Sequence, residues 1–210
     1  MRTQRYIAYA FAAGFVALSA GSAMADDERG NSNALLKGTY RYTMAVSCSR
    51  SAAFTDLPDL QPIGGGGGST SHTTGLLTYD GRGNVTVDQR GTLISPGPYS
   101  SSEVPVTVGP IVWDRQHCNW KYTVNRDRTF TQGDGDCLGF DKYGPVEFGI
   151  PGEEVLITNM RWEGQIGVGG QVLIFYNQIE PSIETLSTNT NFTTKQVCGY
   201  TGTAIRIHSK

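Results

Sequence analysis

Apolar and polar side chains alternate with a period of two along much of this chain, and no segment sustains a 3.6-residue apolar period. Over residues 36–46, Tyr40, Tyr42, Met44 and Val46 share one face while Thr39, Arg41, Thr43 and Ala45 share the other, which predicts a half-buried first strand. Residues 47–74 break the pattern, because Pro58, Pro62 and the glycine run 64–68 predict a long flexible loop. Alternation returns over 75–79 and 85–94, which flank the turn Asp80-Gly81-Arg82-Gly83-Asn84 and read as a hairpin. Residues 95–102 read as a Ser/Pro/Gly connection, and 104–113 as an edge strand or two pieces, since Pro105 and Pro110 cannot donate to a ladder. A second hairpin is expected from 118–124 and 129–131, a third from 154–166 and 171–177, and a final strand from 200–208. Eight or more short strands with Gly-rich connections predict an all-β sandwich or barrel, not βαβ units.

The first 25 residues fall outside this pattern. Arg2 and Arg5 precede an apolar run of 14 residues, 7–20, and small residues follow up to Ala23-Met24-Ala25. That order predicts a signal peptide spanning 1–25 and export by the general secretory route to the periplasm or medium, since the run is shorter than the roughly 20 residues a spanning helix needs. Removing it leaves 185 residues with 15 basic against 19 acidic side chains, a single domain over 35–210 behind a polar, flexible leader, 26–34. Scattered basic residues on an acidic chain give no footprint for nucleic acid, and no second apolar span follows.

Four cysteines, Cys48, Cys118, Cys137 and Cys198, predict two disulfides in an oxidising space and no zinc site, because none falls in a C-x-x-C pair. Sequence alone permits three connectivities. A hairpin turn centred between Asp127 and Arg128 sets Cys118 across from Cys137, which favours that bridge and leaves Cys48 with Cys198. In a closed barrel the latter pair would join neighbouring first and last strands.

Gly38-Thr39-Tyr40 opens the first strand and Arg206 lies in the last. In this the chain resembles the calycin-like barrels, meaning lipocalins and the related allene oxide cyclase type barrel; tyrosine stands where lipocalins carry tryptophan. The resemblance implies a single antiparallel up-and-down barrel of about eight strands, with a β-sandwich as the competing architecture. It further implies a mouth that takes a small apolar molecule, and an inward Arg206 across from the aromatic.

Candidate chemistry is sparse. His72, His117 and His208 sit in no nucleophile or metal motif, so no catalytic residue, metal or cofactor is expected. Asp80 with Asn84, and Asp134 with Asp136, are acidic turns that read as hairpin chemistry in preference to calcium loops. Tyr40, Tyr42, Trp120, Tyr122 and Trp162 combine apolar area with a polar edge and are, with Arg206, the expected ligand-lining residues; as ordinary core they would only fill the interior. Trp113, Phe175 and Tyr176 belong to the same aromatic set, and parity turns Arg161 outward. The leading expectation is a non-catalytic exported barrel binding a small apolar ligand. An envelope interaction module is the alternative from another class, and a non-hydrolytic isomerase or cyclase with a charged group inside its cavity is the third.

Overall fold

The computed structural model describes residues 32–94, 98–101, 104–107, 111–143, 154–176, 182–188 and 193–207. The expected signal peptide and most of the expected leader lie outside them, as do His208 and the side chain of Trp113. Strands dominate: β1 (Gly38–Phe54), β2 (Pro62–Tyr79), β3 (Asn84–Ile94), β4 (Pro98–Ser101), β5 (Val104–Thr107), β6 (Ile111–Val124), β7 (Thr129–Gly133), β8 (Cys137–Tyr143), β9 (Glu154–Thr158), β10 (Arg161–Ile166), β11 (Val172–Tyr176), β12 (Ile183–Thr188) and β13 (Thr193–Ile207). A 3-10 turn, Ser32–Leu36, precedes β1. No helix among the described residues is long and apolar enough to cross a membrane.

Eleven strands form one antiparallel sheet that is partly ringed, while β4 and β5 pair only with each other. Pairings run from β1 through β2 and β3 to β6, and β1 also pairs with β13. Between β6 and β13 the sheet divides lengthwise. One route passes through β7, β10 and β11, joined to β6 at 121–124 and to β13 at 202–205. The other passes through β8, β9 and β12, joined to β6 at 112–118 and to β13 at 193–197.

Several expectations change. The expected loop 47–74 is largely strand: β1 continues to Phe54, and Gly66, Gly67 and Gly68 of β2 pair with Ser51, Arg50 and Ser49. Pairing satisfies backbone groups on that edge of β1, which outweighs the roughly 0.5–1 kcal/mol by which each glycine disfavours a strand. At Gly66 the absent side chain matters, because a Cβ would stand 2.9 Å from the Arg50 carbonyl oxygen. The connection 95–102 contains β4, and the last strand begins at Thr193, not at 200. The leader's final residues are likewise ordered: Asn33 Oδ1 accepts from the Val124 amide at 2.8 Å, and the Tyr122 hydroxyl donates to the Asn33 carbonyl at 2.8 Å.

The bridges join Cys48 to Cys198 and Cys118 to Cys137, and both are compatible with an oxidising, exported location. The hairpin register behind the second needs one correction. Near the turn, Val124 opposes Phe130 and Tyr122 opposes Gln132, which centres the hairpin on Asp127, with Arg128 at φ 68°. That register alone would place Cys118 beside residue 136. A one-residue shift between β7 and β8 restores the Cys118–Cys137 pairing.

Side chains facing the ring's inner side form the core, from Leu36, Tyr40 and Leu77 to Phe130, Leu173 and Ala204. Gly164 of β10 lies opposite Phe130 and Phe175, and a Cβ there would fall 2.6 Å from both the Ile174 carbonyl oxygen and Phe130 Cζ. Backbone on one side and a packed ring on the other leave no room to yield. Gly164→Ala is therefore expected to lower stability by about 1–3 kcal/mol, read as a lower urea midpoint at unchanged slope.

Candidate functional site

All five aromatic residues expected to line a ligand are buried, with exposures of 0–3 %. They pack chiefly against other rings. Tyr79 meets Tyr40 and Tyr122 edge-on at 5.5 and 5.0 Å, while Trp162 meets Trp120 at 4.8 Å, Tyr42 at 5.6 Å, Phe175 at 5.7 Å and Tyr200 at 5.8 Å. Edge-to-face contact places a positive ring edge against a negative ring face. The hydroxyl of Tyr40 donates to the Gly170 carbonyl at 2.8 Å, as that of Tyr122 does to Asn33, so these two phenols tie turns to one end of the ring. Arg206 pairs with Tyr40 across β1–β13, but its Nη2 donates to the Lys37 carbonyl at 2.6 Å, and its guanidinium lies over Gly38, where a Cβ would come within 3.0 Å of Nε. Tyr40, Tyr122 and Arg206 therefore form a packed end.

The other half of the interior is polar. Arg50 of β1, Ser69, Ser71 and Thr73 of β2, Gln89 of β3, Gln116 of β6, Glu184 of β12 and Gln196 of β13 are all buried. Each follows from strand parity: the inward face of β1 that carries Tyr42, Met44 and Cys48 continues to Arg50, and that of β13 runs from Ala204 and Tyr200 through Cys198 to Gln196. Two hydrogen-bond chains organise them. In one, the Tyr42 hydroxyl donates to Gln89 Oε1, and Gln89 Nε2 donates to Gln116 Oε1. In the other, Arg50 Nε donates to Gln196 Oε1 at 3.0 Å and Gln196 Nε2 donates to Glu184 Oε2 at 2.6 Å, while the Tyr200 hydroxyl donates to Glu184 Oε1.

Glu184 is fully buried, and that burial raises its pKa to about 7, against the opposing pull of the Tyr200 and Gln196 hydrogen bonds and the Arg50 charge. Burial also pushes the Tyr200 hydroxyl well above its ordinary value, with the adjacent Glu184 adding to the effect. The Trp120 indole N–H and the Ser69 hydroxyl have no hydrogen-bond partner within the chain, while the Trp162 indole N–H and the Thr73 hydroxyl face the Tyr200 and Tyr42 hydroxyls and hold their pKa values down against burial. A carboxyl that exchanges a proton near neutrality, beside aromatic walls with free donors, can bind a molecule carrying both polar and apolar parts.

Of the expected lining residues, Tyr42, Trp120 and Trp162 adjoin this polar half. Sequence reasoning missed Glu184, Gln196 and Arg50. The last two were reachable by extending the cysteine parity two residues outward. Glu184 was not, since β12 belongs to a stretch with no assigned element. His72 and His117 stay outside this interior cluster: His72 lies exposed within β2, and exposed His117 places Nδ1 2.7 Å from Asp88 Oδ1. Arg161 turns outward, with its Nη2 3.3 Å from Glu163 Oε1. Asp80 serves its own turn, accepting from the amides of Arg82 and Asn84 at 2.7 and 3.0 Å. Among the described residues no group of three or more His, Cys, Asp or Glu side chains is placed to hold a metal ion. Comparison of the chain with family models, curated proteins and solved structures gives no match.

Proposed function

We propose that the chain is an exported small-molecule-binding protein whose ringed sheet is an eight-stranded up-and-down barrel of the calycin kind. Counting supports that architecture: β7 with β8, β10 with β9, and β11 with β12 occupy three positions of the ring as successive halves, and β1, β2, β3, β6 and β13 supply the other five. The observation that carries the functional reading is the inward polar cluster around Glu184. Burying an arginine, a glutamate and several glutamines contributes little net stability compared with apolar packing, so their place inside a ring is best explained by recognition. The ligand is accordingly amphipathic where the sequence suggested a mainly apolar one, with an apolar part against Trp120 and Trp162 and a hydrogen-bonding part toward Glu184.

Native mass spectrometry of the oxidised chain, purified without detergent from periplasm and culture medium, is expected to show a mass excess that denaturation removes. Glu184→Gln should lose most of that excess while keeping both disulfides. A bare chain in both fractions, still bare after challenge with a lipid and metabolite extract, would leave an envelope interaction module as the better reading.

One feature favours a second reading. Glu184, whose burial raises its pKa to about 7, has what a proton-transfer catalyst requires first: a group that takes and returns a proton near neutrality. Recovery of two interconverting isomers from the wild type, but of a single isomer from any ligand retained by Glu184→Gln, would select the enzyme over the carrier.

A further inference from the structure

The outer face of the ring carries a second feature, independent of the interior. Across β1, β2, β3 and β6, Arg41, Leu76, Asp88 and His117 form one outward row, with Thr43, Thr74 and Arg90 in the next. The register between β3 and β6 then slips: Gln89 pairs with Gln116 but Gly91 with Trp113, so Arg90 stands opposite two residues, 114 and 115. A bulge of this kind bends its strand and re-aims a side chain, here that of Arg115. Beside it, β2 and β3 approach so closely at Gly75 that a Cβ would lie 2.2 Å from the Asp88 carbonyl oxygen. The result is a depression of about 380 Å³ lined by Arg41, Thr74, Asp88, Arg90 and Arg115, among others.

Its charge is unlike that of the rest of the chain. Among the described side chains that line it, three arginines stand with one carboxylate, and that carboxylate is turned to His117 at 2.7 Å. Arg41, Arg90 and Arg115 make no ion pair with any described residue. On a chain with 17 basic and 19 acidic residues, this is a concentrated positive field. Arginine presents a planar fork of N–H donors that matches the oxygens of a phosphate group, and three forks around one hollow can engage a tetrahedral oxyanion from several sides.

We infer that this outer depression is a phosphate-binding site, in which Arg41, Arg90 and Arg115 grip the oxyanion. The phosphate belongs either to a soluble phosphate ester or to the headgroup of an anionic lipid, and the two sources can be separated.

The test uses the full-length, oxidised chain. Calorimetric titration with inorganic phosphate and with glucose 6-phosphate, at low ionic strength and with chloride as the control, is expected to give saturable binding. Each of Arg41→Gln, Arg90→Gln and Arg115→Gln should weaken it by about tenfold. Sedimentation with phosphatidylglycerol vesicles, against phosphatidylcholine vesicles, forms the second arm. Arginine-dependent binding to those vesicles without saturable binding of the soluble phosphates assigns the site to a headgroup. The inference is overturned if neither soluble phosphate nor phosphatidylglycerol binds, or if the glutamine variants bind as the wild type does. These side chains lie on the outer face, so unchanged circular dichroism of the variants will separate lost binding from lost folding.

Discussion

Replacing Cys48 and Cys198 together by serine is expected to destabilise the chain by about 5 kcal/mol, against about 3 kcal/mol for the pair Cys118 and Cys137. The difference follows from what each bridge withholds from the unfolded chain. One closes a loop of 150 residues and the other a loop of 19, and the entropy removed rises with the logarithm of loop length. Folded-state consequences point the same way. Cys48 and Cys198 are directly paired across the β1–β13 seam that closes the ring, and Cys198 Sγ lies 3.7 Å from Glu184 Oε2. Cys118 and Cys137 sit on strands that the short turn 125–128 already joins through β7. Guanidinium denaturation of the two double variants against wild type measures both losses. Equal losses would mean that the seam holds without its covalent tie, and that residual structure already restricts the long loop in the unfolded chain.

What the sequence disclosed, and what it hid, follows from the range of each physical signal. Parity is local and strong: the alternation Tyr40, Tyr42, Met44, Val46 is the buried face of β1, and the turn residues around Asp80 and Asp127 mark hairpins because Asp side chains accept from the amides that follow. The glycine run misled because propensity measures a residue's own preference, whereas Gly66–Gly68 are held by the neighbouring β1, whose backbone would otherwise lack a partner on that side. The register shift after Gly133 lies between these cases. The cysteines signalled that 118 and 137 meet, but only the structure places the turn's centre at Asp127 and the extra residue beyond it.

The polar half of the interior was partly legible. Arg50 and Gln196 share the parity of Cys48 and Cys198, but a charged or amide side chain on an inward face normally argues against burial, so parity and polarity pointed in opposite directions. Parity prevailed because each of these groups finds a partner on another strand. The aromatic set illustrates the reverse difficulty. Tyr and Trp serve equally as core and as pocket lining, and only hydrogen bonding separates Tyr40 and Tyr122, which tie down one end, from Trp120, whose indole N–H is left without a partner.

Across pH, the stability of wild type relative to Glu184→Gln is expected to fall by about 3 kcal/mol between pH 4.5 and pH values above 7, where it levels off. Glu184 carries a folded-state pKa of about 7 against an ordinary value of 4.5. Below pH 4.5 the carboxyl is protonated whether the chain is folded or unfolded and contributes no difference. Between those values the unfolded chain has released the proton while the folded chain still holds it, so rising pH favours unfolding. Above 7 both states are ionised, and the accumulated difference is constant. Glutamine has no proton to exchange, so its curve lacks this component, whatever the substitution costs in hydrogen bonds to Tyr200 and Gln196. Tyr200→Phe supplies the sign test: its hydroxyl donates to Glu184 Oε1 and pulls the carboxyl down, so removing it should raise the upper end of the window. Arg50, the charged neighbour that acts in the same downward direction, should behave likewise when changed to Gln. Denaturant titrations of the four proteins at pH 4.5, 6, 7.5 and 8.5 decide the matter. A wild-type difference that does not change with pH would mean that folded Glu184 keeps the ordinary carboxyl value, and would remove the proton held near neutrality on which the catalytic reading depends.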